Sequence, residues 1–201
     1  MSTDSQIIER SLDDPSAFAD LFERHARVIG GFAARRVGHD AAEDVLSETF
    51  LVAFRRRKDF DPAWESAKPW LLGIASRLVK KHHAQEAKQW RAFAASASGS
   101  EPWTDGQIGA SDGRADAASA LRALAPRIAG LSSRDRDTLL LYAWGELTYA
   151  QIAVAQGIPV GTVRSRLNRV RRKLARTGSS HGSDGTRTEE EEANGRLGSR
   201  A

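Results

Sequence analysis

The chain has 201 residues, of which 40% are hydrophobic and 28% are charged, and its formal net charge is +4. This length accommodates two small domains, and the absence of cysteine excludes disulfides, thiolate metal sites and cysteine nucleophiles. No apolar run reaches the roughly 18 residues of a membrane span, and the first residues lack the apolar core of a signal peptide, so we expect a cytoplasmic protein.

Helical periodicity dominates two stretches of the sequence. Apolar residues recur there every three or four positions, and no segment alternates with period two over a useful length. We therefore predict an all-α fold of two small helical domains joined by a flexible linker, with a helix-turn-helix in the second domain. The predicted parts are an N-terminal segment, 1–14; a first domain, 15–92; a linker rich in Ser, Gly, Ala and Asp, 93–116; a second domain, 117–176; and a disordered acidic tail, 177–201.

Three helices are predicted in the first domain. Asp14 is expected to cap the first helix, with Pro15 at its first position, and this helix runs to a break at Gly38. Asp40 is the expected cap of the second helix. The third helix is predicted over about residues 67–90, and its apolar stripe consists of Trp70, Leu71, Ile74, Leu78 and Val79.

The second domain contains the most informative segment, residues 148–174. Thr148 is predicted to cap a short helix, Gly157 to end it in a left-handed conformation, and a longer helix to follow from about Val160. A short helix, a glycine turn and a longer helix form the layout of a helix-turn-helix. Two further helices are predicted before this motif, one over about residues 117–129 and one capped by Ser132 or Ser133.

The last predicted helix is strongly basic. Residues 160–176 carry seven basic residues and no acidic one, which argues against an ordinary solvated face. In a helix-turn-helix, the start of this helix lies nearest the base edges of the major groove, and more distant cations contact phosphates. Its predicted buried stripe consists of Val163, Leu167, Val170 and Leu174. The candidates for base contacts are Thr162, Arg164, Ser165, Arg166 and Arg169, and those for phosphate contacts are Arg171, Arg172, Lys173 and Arg176.

Three segments resemble the extracytoplasmic-function class of bacterial sigma factors. The resemblance to the fourth conserved region lies in LSSRDRDTLLLYAWGELTYAQIAVAQGIPVGTVRSRLNRVRRKL. The resemblance to the second region lies in AAEDVLSETFLVAF, similar to the polymerase-docking helix, and in KPWLLGIASRLVKKHH, similar to the promoter-melting helix. It implies a non-enzymatic factor that binds core RNA polymerase and promoter DNA, duplex at −35 and melted at −10. Whether an anti-sigma factor restrains the chain is left open.

The same resemblance implies two further sets of site residues. Those expected to face the polymerase are Glu43, Asp44, Leu46, Glu48 and Phe50. Those expected at the −10 element combine cations with aromatic surface for unpaired bases, and they are Trp64, Arg77, Lys80, Lys81, His82, His83 and Lys88. The chain departs from the class at Ser47, where Gln is common, and at Arg77 and Lys81, where Asn and Asp are common.

Two other functions account for part of the sequence. A helix-turn-helix regulator that does not replace the sigma subunit explains the second domain but not the acidic helix followed by a basic one. A nuclease using Asp59, Asp61 and Glu65 lacks metal-ligand spacing and a phosphate-binding glycine loop. His82 and His83 are adjacent and point about 100° apart on a helix, so we predict no metal site, no cofactor and no enzymatic activity.

Overall fold

The computed structural model describes residues 2–96 and 126–175, and all regular structure in these ranges is helical, which confirms the predicted all-α fold. The predicted tail, nearly all of the predicted linker and residues 117–125 lie outside the described residues. Within the described ranges, no helix is long and apolar enough to cross a membrane. The α-helices described are α1, Asp4–Asp13; α2, Ala19–Arg55; α3, Lys68–Ser96; α4, Ser133–Ala143; α5, Tyr149–Gln156; and α6, Val160–Ala175.

Helix α1 was not predicted from the sequence. It begins with a capping box in which the Gln6 backbone N–H donates to Thr3 Oγ1 (3.2 Å) and the Thr3 N–H donates to Gln6 Oε1 (2.9 Å). Ile7 and Ile8 of this helix are buried in the core of the first domain. The N-terminal segment is therefore part of the folded first domain.

Asp4 connects α1 to the rest of the first domain. Its carboxylate lies 2.7 Å from His25 Nε2 on α2, and it accepts hydrogen bonds from Arg24 (2.8 Å) and from the Ala67 N–H at the start of α3 (2.8 Å). Burial opposes ionisation of this group, but these contacts together hold the pKa of Asp4 well below its usual range. Asp4 is thus an ionised carboxylate at the junction of three helices.

Helix α2 is a helical hairpin. The predicted break at Gly38 is confirmed, because this residue has φ 80° and ψ 170° inside an otherwise helical run. Phe22 and Phe50 pack edge to face with ring centroids 4.8 Å apart, and Leu46 approaches Gly30. In each pair the two residues lie about equally far before and after Gly38. The two arms of the hairpin therefore run antiparallel. Helix α3 packs against them through residues that include Leu71, Ile74 and Val79.

The helix-turn-helix has the predicted local features. Thr148 and Gln151 form a capping box at the start of α5, and Gly157 ends that helix with φ 64° and ψ 43°. Ser132, rather than Ser133, caps α4 by accepting from the Asp135 N–H (3.2 Å). Along α6, Val163, Leu167 and Val170 are buried as expected, which turns the intervening cations outward.

The two domains pack against each other, in an orientation that the sequence left open. Leu72 and Ala75 of α3 belong to the same apolar cluster as Ile152 and Ala155 of α5. At Gly73 the backbones approach so closely that a Cβ atom there would lie 2.3 Å from the Ala155 carbonyl oxygen. One apolar cluster therefore spans both domains, while a smaller cluster of Ala33, Ala42, Val45 and Val79 lies within the first domain.

An ion-pair cluster borders this apolar contact. Asp137 of α4 accepts a hydrogen bond from Arg36 of α2 (2.9 Å), and Lys80 of α3 lies 2.5 Å from its other oxygen. The Arg36 and Asp137 side chains are only 7% and 3% exposed. Burial lowers the pKa of Arg36, and Asp137 acts in the opposite direction and favours the charged form.

Candidate nucleic-acid interface

The outer face of α6 is an exposed basic surface. Because its apolar stripe is buried against α4 and α5, the residues between the stripe positions point to solvent. Arg164, Ser165, Arg169, Arg171, Arg172 and Lys173 are exposed, and Thr162 and Arg166 are half-buried. These eight residues thus lie at least partly at the surface of a well-formed helix-turn-helix, and Arg176, also predicted to contact the −35 duplex, lies outside the described residues.

Three of these arginines are held by partners within the second domain. Arg166 donates to Gln156 Oε1 (3.0 Å), Arg169 donates to the buried carboxylate of Asp135 (3.0 Å), and Arg171 donates to the Tyr149 hydroxyl (2.9 Å). None of these three partners was predicted, since they lie 10 to 34 positions away in the sequence. A guanidinium that is already held by a partner loses less rotamer entropy if it binds a ligand, so these contacts restrain the three arginines in advance.

The remaining cations of the surface are not restrained in this way. Among the described residues, Arg164, Arg172 and Lys173 have no hydrogen-bond or ion-pair partner. Arg164 lies in the first turns of α6, whereas Arg172 and Lys173 lie in the last. Long unpaired cations of this kind suit phosphate oxygens, which present charge without requiring a fixed geometry.

Helix α3 carries six of the seven residues predicted for the −10 element. Arg77, Lys80, Lys81, His83 and Lys88 are exposed, and His82 is half-buried. Arg77 donates weakly to the Ala155 carbonyl (3.4 Å), and Lys80 pairs with Asp137, so both already contact the second domain. Partial burial lowers the pKa of Arg77, and the nearby Arg56 acts in the same direction.

The two histidines of α3 converge on one carboxylate. His82 Nδ1 and His83 Nδ1 lie 3.3 Å and 3.4 Å from the same Glu86 oxygen. These three residues are the one group within the described residues whose spacing suits a metal ion. All three belong to one helix, two of them are exposed, and the contacts of both imidazoles with Glu86 explain the arrangement without a metal.

Trp64 lies half-buried in the loop before α3. It packs against the core of the first domain, and beside it a groove is lined by Trp70 and by Val154 of α5. Trp70 itself packs edge to face on Phe60 with centroids 5.2 Å apart, as expected for a residue of the apolar stripe. The Trp64 ring is therefore partly committed to packing, with one edge at the groove.

The second arm of α2 exposes a row of carboxylates. Glu43, Asp44 and Glu48 are exposed, and no ion-pair partner is found for them among the described residues. Leu46 is half-buried, whereas Leu51, two turns after Asp44, is 41% exposed. Unpaired acids beside apolar surface are typical of a face that binds a basic partner.

Phe50 does not lie on that face. It was expected to contact the polymerase, but it is only 6% exposed because the hairpin turn at Gly38 brings Phe22 against it. Phe22 is the partner that reaches the surface, with 43% of its area exposed. Phe22 was not among the residues expected to contact the polymerase.

Comparison with known proteins identifies the family. The chain matches Sigma-70 region 2 over residues 21–89 and Sigma-70 region 4 over residues 121–174. It is 31% identical over 159 residues to the RNA polymerase sigma factor CarQ of Myxococcus xanthus, covering 79% of this chain and 87% of that protein. The chain belongs to the extracytoplasmic-function sigma factors. It directs promoter-specific transcription initiation, and the alternative of a regulator that leaves the sigma subunit in place is not favoured.

Further relatives agree with this sigma-factor assignment. The ECF RNA polymerase sigma factor SigC of Mycobacterium tuberculosis is 35% identical over 136 residues, which is 67% of this chain and 68% of SigC. The solved structure of CnrH with the cytosolic domain of CnrY superposes with a TM-score of 0.60 at 20% identity, covering 89% of this chain and 99% of CnrH. Sigma factor RpoE of Bartonella quintana, solved with the anti-sigma factor NepR, gives 0.55 at 20% identity, covering 82% and 98%. These two structures share the fold of this chain.

Proposed function

We propose that this sigma factor divides its contacts among three surfaces. The exposed basic face of α6 reads duplex DNA at the −35 element, α3 captures the melted −10 strand, and the acidic row on α2 docks on core RNA polymerase. The observation that carries the proposal is the α6 face, where exposed cations project from the second helix of a helix-turn-helix whose Val163, Leu167 and Val170 are buried.

Recognition of the −35 element follows from the two groups of cations on α6. Arg166 and Arg169, with Thr162 and Ser165, lie in the first three turns and face the base edges, and the arginines are oriented by Gln156 and Asp135. Arg172 and Lys173 contact phosphates further along the groove and set the register of the helix on the duplex. Base contacts supply sequence preference, and the phosphate contacts supply salt-sensitive affinity.

Capture of the −10 strand is assigned to the exposed end of α3. Lys81 and Lys88 are spaced by seven residues, two helical turns, and have no ion-pair partner among the described residues. Two cations on one side of a helix follow a phosphate backbone, and the Trp64 edge offers a surface for an unpaired base. The departures from the class at Arg77 and Lys81 imply that this chain reads a −10 sequence of its own.

Polymerase docking is assigned to Glu43, Asp44 and Glu48, with Leu46 and Leu51 as the apolar part of the surface. The double variant Asp44→Lys/Glu48→Lys should abolish co-purification with core polymerase, because like charges then face a basic partner. Duplex binding by the second domain should be unchanged. The matched control is Glu9→Lys, a charge reversal at an exposed carboxylate of α1 outside the proposed surface. Retained co-purification of the double variant would remove the assignment.

Specificity arises when the surfaces act together. Each makes a few phosphate or base contacts and is weak alone, and attachment to polymerase raises the effective concentration of the others. The free chain should therefore bind promoter DNA poorly and gain specificity when core polymerase is added. An anti-sigma factor is proposed as a further partner, as the solved complex of RpoE with NepR suggests, and the cytoplasm as the place of action.

A further inference from the structure

The loop that carries Trp64 has little regular structure of its own. Residues 60–67 connect a single 3-10 turn, Arg57–Asp59, to α3. Within the loop, Asp61 closes a tight turn, because its side chain accepts from the Ala63 N–H (2.9 Å) and its carbonyl accepts from the Trp64 N–H (3.1 Å). Backbone groups outside a helix or sheet need other partners, so the shape of the rest of the loop depends on contacts from elsewhere in the chain.

Ser5 of α1 contacts the middle of this loop. Its hydroxyl donates to the Pro62 carbonyl at 3.2 Å and to the Trp64 carbonyl. A hydroxyl has one proton, so the two carbonyls share it and lie around the same point of α1. The carbonyl carbon of Trp64 is bonded to the Cα atom that bears the indole, so the contact with Ser5 fixes where that side chain begins.

Asp4, the residue before Ser5, holds the end of the loop. Its carboxylate accepts hydrogen bonds from the Ser66 hydroxyl (3.2 Å) and from the Ala67 N–H (2.8 Å). Asp4 and Ser5 together therefore bond two carbonyls, one hydroxyl and one N–H of the loop. The segment that contains Trp64 is thus tied to the first turn of α1 on both sides of the tryptophan.

Helix α1 can act as a frame for the loop because other contacts anchor it to the first domain. Ile7 and Ile8 are buried in the core, and the Ser11 carbonyl accepts a hydrogen bond from Arg57 Nε (3.1 Å). The helix lies before the residues that match Sigma-70 region 2, 21–89. Its contacts with the loop are therefore made from outside the part of the chain that matches this region.

The frame matters because the Trp64 ring is only partly enclosed. The side chain is half-buried, and it lines the groove together with Phe60, Pro69 and Trp70. A ring that is fixed before a base arrives loses less conformational entropy on stacking than a ring on a mobile loop. A shift of the backbone at Trp64 would move the indole away from this prepared position.

We propose that Ser5 is a positioning residue for capture of the melted −10 strand, in that its hydroxyl holds the Trp64 backbone so that the indole edge is ready to stack on an unpaired base. This inference rests on the base-stacking role of Trp64 in the proposed function. Ser5 does not contact DNA and acts through Trp64. Loss of the hydroxyl therefore slows promoter opening without weakening polymerase docking or duplex binding by α6.

The setting of Trp64 is measured by ¹⁹F NMR of the full chain labelled with 5-fluorotryptophan, in which Trp64→Phe assigns one of the five tryptophan resonances. The Trp64 resonance should shift or broaden in Ser5→Ala. The matched control is Ser11→Ala, which removes a hydroxyl that donates to the Ile8 carbonyl (2.6 Å) within the same helix, and the resonance should keep its position there. An unchanged Trp64 resonance in Ser5→Ala, or an equal change in Ser11→Ala, would overturn the proposal.

Promoter opening by the holoenzyme is measured as the rate at which thymines of the −10 region become reactive to permanganate. Ser5→Ala should lower this rate by about fivefold, as expected for the loss of one hydrogen bond, and Ser11→Ala should leave it unchanged. In the Trp64→Ala background, Ser5→Ala should have no further effect, because both substitutions remove the same contact with the base. Independent, multiplicative losses would show that Ser5 does not act through Trp64.

Failure of this inference can be told apart from failure of the proposed function. If Trp64→Ala slows opening and Ser5→Ala does not, only the positioning role is refuted. If neither variant slows opening, the base-stacking role of Trp64 falls as well. Co-purification with core polymerase establishes that each variant is folded. Should Trp64→Ala fail this check, the comparison of Ser5→Ala with Ser11→Ala in the opening rate and the ¹⁹F spectrum decides.

Discussion

Asp135 is almost completely buried, and its carboxylate accepts a hydrogen bond from the exposed Arg169. This hydrogen bond restrains the guanidinium of Arg169, in the third turn of α6, whereas Arg172 is exposed and has no partner among the described residues. The two arginines are similar in exposure and differ in restraint. At the scale of single residues, this difference in restraint matches the proposed division of roles, in which Arg169 reads base edges and Arg172 contacts a phosphate.

Arg172→Gln should weaken binding to all duplexes alike and lower the salt dependence, d log K/d log[salt], by about 0.9, since one phosphate contact is lost. Asp135→Asn should instead reduce the preference for the promoter over unrelated DNA by roughly tenfold, because Arg169 loses its orientation. Titrations by fluorescence anisotropy at several salt concentrations distinguish the two effects. An equal loss of promoter preference in both variants would contradict the assignment of Arg169 to bases and Arg172 to phosphates.

Asp4→Asn should destabilise the chain by about 3 kcal/mol at pH 7, because a buried carboxylate with three charged or polar partners is lost. The folded-state pKa of Asp4 is depressed, so its contribution is complete above the unfolded pKa of about 3.9 and is lost as the pH falls through the folded value. The difference in free energy of unfolding between Asp4→Asn and the unaltered chain should therefore be constant from pH 7 to about 5 and shrink below about pH 4.

Urea denaturation across this pH range measures the effect. Asp13→Asn, an exposed carboxylate of the same helix, serves as the control and should change stability by less than about 0.5 kcal/mol. If the difference in free energy of unfolding between Asp4→Asn and the unaltered chain grew as the pH fell, ionised Asp4 would not be stabilising the fold.

At the scale of secondary structure, the hairpin of α2 depends on one backbone conformation. Gly38 has φ 80° and ψ 170°, a region open essentially to glycine alone, and no atom lies within 4 Å of a Cβ placed there. Any cost of a side chain at this position is therefore conformational and not steric. The turn it makes sets the pairing of Phe22 with Phe50 and the direction of the acidic row.

Gly38→Ala should lower the free energy of unfolding by about 2 kcal/mol, the cost of forcing an L-residue into that region. Gly31→Ala, in the same helix, should raise it by about 0.5 to 1 kcal/mol, because alanine favours helix and meets no atom there. Thermal and urea unfolding of the two variants provide the comparison. Equal effects of the two substitutions would show that Gly38 is not required for the turn.

Local signals explain which elements could be predicted from the sequence. The break at Gly38, the cap at Thr148 and the turn at Gly157 depend on residues within one helical turn, and each prediction is confirmed. Helix α1 has an equally local capping box, Thr3 with Gln6, and was missed because its short apolar run, Ile7 and Ile8, gives little periodicity.

At the scale of the whole molecule, the decisive contacts join residues that are far apart in sequence. Arg36 and Asp137 are separated by 101 positions, and Arg77 and Ala155 by 78. A charge pattern shows that cations are present on α3 but not which of them are already paired. The same limit applies to Phe50, whose burial depends on a partner across the hairpin. Predicting a surface requires the tertiary fold, whereas predicting a helix does not.

In the proposed function, the basic face of α6 selects the promoter while the chain is docked on polymerase. The most direct test is run-off transcription by core RNA polymerase on a genomic library. It compares the unaltered chain with the triple variant Arg164→Gln/Arg172→Gln/Lys173→Gln. We expect the unaltered chain to start transcripts at a defined set of sites. The triple variant should bind core polymerase normally but lose those starts by about 100-fold or more, since one candidate base contact and two phosphate contacts are removed. Starts that are independent of these residues, or the absence of defined starts with the unaltered chain, would contradict the account.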